Sequence, residues 1–383
     1  MVQRVHPLNA YASLYSFQAR PDGRNPTVRL IPFDGYLVGT TSNGGRGCPQ
    51  NGCGTIFKIT KDGKETILHR FQGIPDGANP LSELATASQV LYGTTNQGGM
   101  RCAQGATGCG TVFSTNSSGE EVVLHKFAGV PDGANPQGPL TLARGLLYGT
   151  TTSGGAKCTQ THDGCGTVFS INAQGAESVL YSFKGTPDAQ TPTGNLIYLN
   201  GTLYGTTVHG GPYNYGTVFS ITPAGSEHIL YSGKSPGDLK NPAGLVAMNG
   251  VLYGTGEGEF GEALLYRLTT AGRIHIVHLF DATGRNGADP TGRLIAVGGL
   301  LYGTTQYGGE KGNGYGLLYV LSPSGFFRVL YRFKGAPDGA YPAAGVTDAK
   351  GNLYGTTDGG GSGCHRDDCG IGYGTVFRFL RKP

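Results

Sequence analysis

Leu203-Tyr204-Gly205-Thr206-Thr207 is the stretch that decides the fold, because it returns almost unchanged seven times along the chain. The other copies are Leu37-Val38-Gly39-Thr40-Thr41, Leu91 to Thr95, Leu147 to Thr151, Leu252 to Gly256, Leu301 to Thr305 and Leu353 to Thr357. Their central glycines (Gly39, Gly93, Gly149, Gly205, Gly254, Gly303, Gly355) lie 49 to 56 residues apart. A period of that length marks a repeat architecture.

Each unit opens on a proline (Pro26, Pro80, Pro136, Pro192, Pro242, Pro290, Pro342) followed by a short apolar run. The pentapeptide comes next, then a Gly-rich loop, then Gly-Thr-Val-Phe or a degenerate form of it, then a turn and a run such as Val179-Leu180-Tyr181-Ser182-Phe183. These runs are rich in β-branched and aromatic residues and are bounded by Gly, Pro, Asn and Asp, so they read as four strands per unit, A to D. No segment carries a helical period, and almost no helix is expected. A unit of four short strands cannot bury a core alone, so residues 1–383 are expected to form one all-β body, a seven-bladed β-propeller with four antiparallel strands per blade. The chain begins with a D-like strand near Tyr11 to Phe17 and ends with a C-like strand near Gly374 to Leu380. The ring is therefore expected to close by pairing these two, which removes exposed sheet edges.

Among 383 residues there are 69 glycines, but they fall at fixed offsets in apolar patterns, which argues against low-complexity disorder. The formal net charge of +4 is spread along the chain without a basic stripe, which excludes nucleic acid as an expected partner. No apolar run is long enough to cross a bilayer, and the expectation is that any export signal has been removed and that no C-terminal anchor is present in this sequence.

All eight cysteines lie in one loop type, between strands B and C: Cys48 with Cys53, Cys102 with Cys109, Cys158 with Cys165, Cys364 with Cys369. Four units have two and three units have none, the pattern of local disulfides gained or lost as a unit. Each closure is worth roughly 2 kcal/mol on the chain-entropy model. Disulfides imply an extracellular, cell-surface or periplasmic location. The cysteine spacings do not match zinc ribbons, and no metal or cofactor is expected.

The combination Leu-Tyr-Gly-Thr-Thr, Gly-Gly, Gly-Thr-Val-Phe, Leu-Tyr-Ser-Phe and Pro-Asp-Gly-Ala-Asn-Pro resembles the GloVer repeat of bacterial exported proteins called choice-of-anchor tandem-repeat proteins. The strand order is also similar to kelch propellers. The resemblance spans residues 11 to 380 and implies a secreted propeller; it implies no activity and no catalytic residues.

Links from D to A and loops from B to C are long and share one face, where function is expected. Residues repeated in every unit read as scaffold, including the Asp of Pro-Asp-Gly, which suits a turn. Departures from the repeat are the candidates. Blade five has Glu257, Glu259 and Glu262 in a shortened B–C loop, a set that could serve glycoside hydrolysis. Blade four carries His209 and Tyr213, and blade six Tyr307, with rings suited to stacking on sugars. Blade seven has His365, Arg366 and Asp367 between cysteines, a set suited to acid-base chemistry or an anionic sugar. Three residues after the unit proline, Arg29, Glu83, Asn195 and Arg293 are expected to ring the channel mouth, either to bind a ligand or to pair with one another. The expected function is a binding propeller for a glycan or an extracellular protein. A polysaccharide hydrolase or lyase using the blade-five carboxylates with His209, Tyr213 or His365 is the first alternative, and a structural module of an extracellular assembly the second.

Overall fold

The computed structural model describes residues 10–18, 20–102, 107–158, 161–234, 237–281, 284–290, 293–309, 314–362 and 372–381. Among them there is no helix, and the strands form seven blades of mainly four antiparallel strands in a ring. Blade four is representative, with strands A to D at Ile197–Leu199, Thr202–Thr207, Thr217–Ile221 and Glu227–Ser232. Blade seven takes strands A to C from Thr347–Ala349, Asn352–Thr357 and Thr375–Leu380, and its strand D is Tyr11–Ser16. The two ends of the chain thus pair, with Tyr11 opposite Phe379 and Ser16 opposite Thr375. Strand A is shorter than its apolar run in most blades, so Arg29, Glu83, Asn195 and Arg293 sit just ahead of the innermost strands rather than in them.

The core lies between blades. Among the described residues, seven buried apolar clusters are found, one at each junction, and each mixes residues of two neighbours. At the junction of blades three and four, for example, Tyr148, Val168 and Phe183 meet Leu196, Leu203 and Phe219. The phenylalanine ending strand D meets the strand C aromatic of the next blade edge-on, as Phe183 meets Phe219 with centroids 5.2 Å apart. That arrangement recurs at Phe17–Phe57, Phe71–Phe113, Phe127–Phe169, Phe280–Tyr319 and Phe333–Phe377. Between blades four and five Gly233 occupies the strand D position and this ring pair is missing.

Strand B serves three contacts. Its glycine lies opposite the strand C ring, Gly205 opposite Phe219, and the ring fills the space a side chain would need. The close approach is therefore made by a ring of the same blade, not by the neighbouring blade. The first threonine reaches the next blade: Thr356 donates to the Val28 carbonyl at 3.0 Å and Thr304 to that of Ala344 at 2.8 Å. The second pairs with the first threonine of strand C, as Thr207 Oγ1 does with Thr217 Oγ1 at 2.9 Å, and donates to the carbonyl two residues on. Short two-stranded ribbons then tie the D–A link to the B–C loop, for example Gly23–Arg24 with Asn43–Gly44. This puts both long connections on one face. Disulfides join Cys48 to Cys53, Cys102 to Cys109 and Cys158 to Cys165 within the B–C loops. Cys364 and Cys369 lie outside the described residues. Three disulfides place the chain in an oxidising environment; among the described residues no helix is long and apolar enough to cross a membrane.

The turn aspartates are held in place by local hydrogen bonds. Asp22 accepts from the Gly23 and Gln18 amides at 2.6 and 2.9 Å and from the Tyr15 hydroxyl at 2.8 Å. Beside this turn stands Glu65, the first strand D residue of the next blade, with Oε1 buried and without a hydrogen-bond partner. Burial, then the charge of Asp22, pushes its pKa up to about 7. Glu227 repeats the arrangement beside Asp188 and is likewise pushed up to about 7 by burial and then by that charge. A carboxyl whose folded pKa exceeds its unfolded one near 4.5 binds the extra proton in the folded state. Its stabilising contribution is complete below pH 4.5 and is lost as pH rises through about 7. The melting temperature is therefore expected to fall between pH 5 and pH 7.5, and the fall to be shallower in a Glu65→Gln, Glu227→Gln chain. Equal slopes for the two proteins would refute the assignment.

Candidate ligand site

Blade five breaks the pattern on the long-loop face. In blade one the disulfide loop lies across the end of strand D. Gly47 packs against the Phe71 carbonyl, and the sulfurs of Cys48 and Cys53 are 3.4 and 3.6 Å from where a Cβ on Gly73 would stand. Blade five has no such cover, because its B–C connection is a tight turn in which the Gly258 amide donates to the Glu262 carbonyl at 2.8 Å. Phe280 and Asp281, at the end of its strand D, instead line an open cavity of about 880 Å³.

Among the described residues, four carboxylates line this cavity, Glu257, Glu262, Asp281 and Asp289, and no lysine or arginine does. Glu257 Oε2 accepts from Asn241 Nδ2 at 3.0 Å, and Glu262 Oε2 from the Phe260 amide at 2.9 Å, which fixes the turn. Asp289 is exposed on the cavity wall, and partial desolvation, then the charge of Glu257, raise its pKa. Phe260, at the tip of the turn, is 88% exposed and lines the same cavity. The remaining wall is largely apolar, from Val208, Ala243, Leu279 and Pro290.

Neighbouring loops extend the rim. The Asn241 amide donates to the Tyr215 carbonyl at 2.9 Å, and Lys240 Nζ lies 5.1 Å from the Tyr215 ring centre. Tyr213, 56% exposed, is stacked beside Tyr215. On the other side Ala288 and Tyr307 exchange backbone hydrogen bonds at 2.9 and 3.1 Å, and the Tyr307 ring is 42% exposed. Among the sequence candidates, Glu257 and Glu262 thus share one cavity, flanked by Tyr213 and Tyr307. Glu259 is not part of its lining, and its carbonyl accepts from Lys240 Nζ at 3.3 Å. His209 is exposed and pairs through its backbone with Gln190. Asp281 and Asp289 were missed in the sequence, and Phe260 with them. The two aspartates belong to the link after blade five, where the Pro-Asp-Gly pattern has decayed to Asp281-Ala-Thr-Gly.

Arg29, Glu83, Asn195 and Arg293 converge at the axis, around a cavity of about 250 Å³. They pair: Arg29 Nη2 and Arg293 Nη1 both reach Glu83 Oε2, at 2.9 and 2.8 Å. Asn195 is buried and donates to the Leu245 carbonyl at 3.0 Å. One carboxylate between two guanidiniums leaves a single net positive charge at the channel mouth. Burial lowers the Arg293 pKa, Glu83 opposes that, and Arg29 adds to it. His365, Arg366 and Asp367 lie outside the described residues.

The blade pattern and these sites belong to a β-propeller assembled from one repeat. The chain is a member of the Gloeobacter/Verrucomicrobia repeat family, which it matches over residues 1–214, 99–264 and 199–382. A search of curated protein sequences finds no match. Among solved structures it is similar to virginiamycin B lyase from Staphylococcus aureus, with 14% identity and a TM-score of 0.61 over 97% of this chain and 99% of that one. It is also similar to a puromycin-hydrolyzing peptidase of Mycobacterium tuberculosis, with 13% identity and a TM-score of 0.54 over 91% of this chain and 52% of that one. Likeness at such identity shows the fold alone.

Proposed function

We propose that this propeller is a non-catalytic glycan-binding protein of the bacterial exterior, and that it takes its ligand in the blade-five cavity. One observation carries the reading: four carboxylates and an exposed phenylalanine surround a single cavity whose described lining residues include no basic side chain. Carboxylates accept hydrogen bonds from hydroxyl and ammonium groups, and an exposed ring offers a stacking surface. The excess of negative charge favours neutral or amino sugars and disfavours uronic acids. The propeller fold and the repeat family fit a binding or structural propeller, and the disulfides fit an extracellular, cell-surface or periplasmic setting.

Titration calorimetry with glucosamine oligomers and with galacturonate oligomers tests this. Binding of the amino-sugar series is expected, with a loss of about tenfold or more in a Phe260→Ala, Asp289→Asn chain, since a stacked ring and a charged hydrogen bond each contribute on the order of 1–2 kcal/mol. Tighter binding of the galacturonates, or equal affinity in the variant, would remove the reading. The raised pKa of Asp289 beside Glu257 also fits a second one, hydrolysis with Asp289 as acid and Glu257 as partner carboxylate. Release of new reducing ends in the same samples would decide for it.

A further inference from the structure

The outer rim of the ring carries a second repeated constellation, independent of the blade-five cavity. At each junction three positions meet: the penultimate residue of one strand D, the aspartate of the link that follows it, and the first strand D residue of the next blade. Between blades one and two these are His69, Asp76 and Glu121. Between blades two and three they are His125, Asp132 and Glu177. In each set one ligand atom per side chain lies within 4.8 Å of the others, and all six residues are half-buried, so an ion could enter from solvent. Among the described residues these are the two places where three such side chains converge.

The local hydrogen bonds leave capacity in both sets. Asp76 Oδ2 receives the Gln72 amide at 2.8 Å and faces His69 Nε2 at 3.2 Å, while its Oδ1 receives the Gly77 amide at 2.6 Å. Asp132 is held in the same way by Ala128, His125 and Gly133. Those amides fix each carboxylate in place without using its remaining lone pairs. Glu121 Oε1 and Glu177 Oε1 are buried with no hydrogen-bond partner, and both glutamates belong to this side-chain group. A buried carboxylate oxygen without a donor is costly, and a second carboxylate beside it adds repulsion. A cation satisfies both.

Sister junctions supply the comparison within one chain. Between blades seven and one, and three and four, Tyr15 and Tyr181 stand where the histidines stand, and their hydroxyls donate to Asp22 and Asp188 at 2.8 and 3.0 Å. A neutral phenol is a donor there and no metal ligand. Between blades five and six the histidine is present as His278, but Phe327 replaces the glutamate and stacks on the imidazole at 4.3 Å. Among the described residues, only the first two junctions combine an imidazole with both carboxylates.

We propose that these two junctions are metal sites, each taking one divalent transition-metal ion of the zinc class on His69, Asp76 and Glu121 or on His125, Asp132 and Glu177. One imidazole and two carboxylates supply a borderline-soft nitrogen and two oxygens, a set that suits zinc better than calcium, which wants six to eight oxygens. Water completes a tetrahedral shell. Since each site spans two blades, the ion ties neighbouring outer strands and acts as a structural clip.

Tag-free protein, stripped with chelator and dialysed, is titrated with Zn²⁺ by calorimetry, and bound metal is measured after gel filtration. Two ions per chain are expected. His69→Tyr and His125→Tyr should each give one, and the double variant none. Tyrosine is already the native residue at Tyr15 and Tyr181, so the double variant should melt in chelator as the parent does, which separates metal loss from misfolding. Glu121→Gln provides a second route to the same loss at the first site. Zinc should also raise the parent's melting temperature and leave that of the double variant unmoved. An unliganded parent at micromolar zinc, or a stoichiometry that the tyrosine substitutions leave unchanged, would overturn the proposal.

Discussion

Removal of residues 1–17 is expected to abolish the folded ring rather than trim it. Those residues include strand D of blade seven, which runs antiparallel to Thr375–Leu380 along its whole length. The pairing is locked at both ends, by the Leu380 amide on the Ala10 carbonyl at 2.6 Å and the Phe17 amide on the Gly374 carbonyl at 3.0 Å. Phe17 is fully buried between blades seven and one, edge-on to Phe57 at 5.1 Å. Tyr11 stacks on Tyr331 of blade six at 3.9 Å. The strand thus closes two junctions as well as one sheet. Deleting one buried aromatic ring costs about 3–5 kcal/mol, and a folded domain has only about 5–15 kcal/mol in hand. Loss of Tyr11 and Phe17 together, with an exposed edge on the last strand C, should leave a chain that unfolds or aggregates. Circular dichroism on heating would show no cooperative transition, and a peptide spanning residues 10–18 added in trans should restore one. A truncated chain melting within a few degrees of the parent would refute closure as the source of stability.

The fold was legible because its signals are local and repeated. The pentapeptide, the turn glycines and the Thr-Val-Phe run each specify a strand or its end, and seven copies average away the degenerate ones near Ala263 and Gly316. Closure was legible from the register of Tyr11 to Phe17 against the last strand. The sites were less so, for a physical reason: each is built from residues one repeat apart. Glu257 and Glu262 stood out against their sister loops, yet Asp289 reaches the same cavity from the following link, and its altered pattern reads there as mere decay. His69 and Asp76 lie seven residues apart and read as strand end and turn. Their partner Glu121 comes from the next blade's outer strand, and the sharp twist of a propeller blade that brings it there is not written in any one unit. Arg29, Glu83 and Arg293 lie near the axis because their position after the unit proline fixes depth in the ring, but their mutual pairing depends on which blades face across the channel.

Gly205→Ala is expected to destabilise the ring by about 1–3 kcal/mol, the usual cost of overpacking a filled core. On backbone grounds alone the change should help, because the residue lies in a strand, does not have the positive φ of the turn glycines, and alanine loses less entropy on folding. Packing decides the sign. A Cβ on Gly205 would stand 2.5 Å from Phe219 Cζ and 2.9 Å from Leu196 Cδ2. Phe219 cannot retreat, since Phe183 of the preceding blade lies edge-on against it at 5.2 Å. If glycine and ring are one device, Phe219→Leu should cost less in the Gly205→Ala background than in the parent, and a double-mutant cycle in urea should return a favourable coupling on the order of 1 kcal/mol. Additive costs would show that the ring yields easily and that the glycine answers to something else. Blades five and six test the same idea with a different atom. There Tyr266 and Tyr319 replace the phenylalanine, and their hydroxyls would lie 2.6 and 2.5 Å from a Cβ on Gly254 or Gly303. Both hydroxyls are buried without a partner. The glycine therefore leaves room there for an oxygen that the core does not otherwise satisfy, so the constraint on strand B is set by the ring opposite and is strictest where that ring is longest.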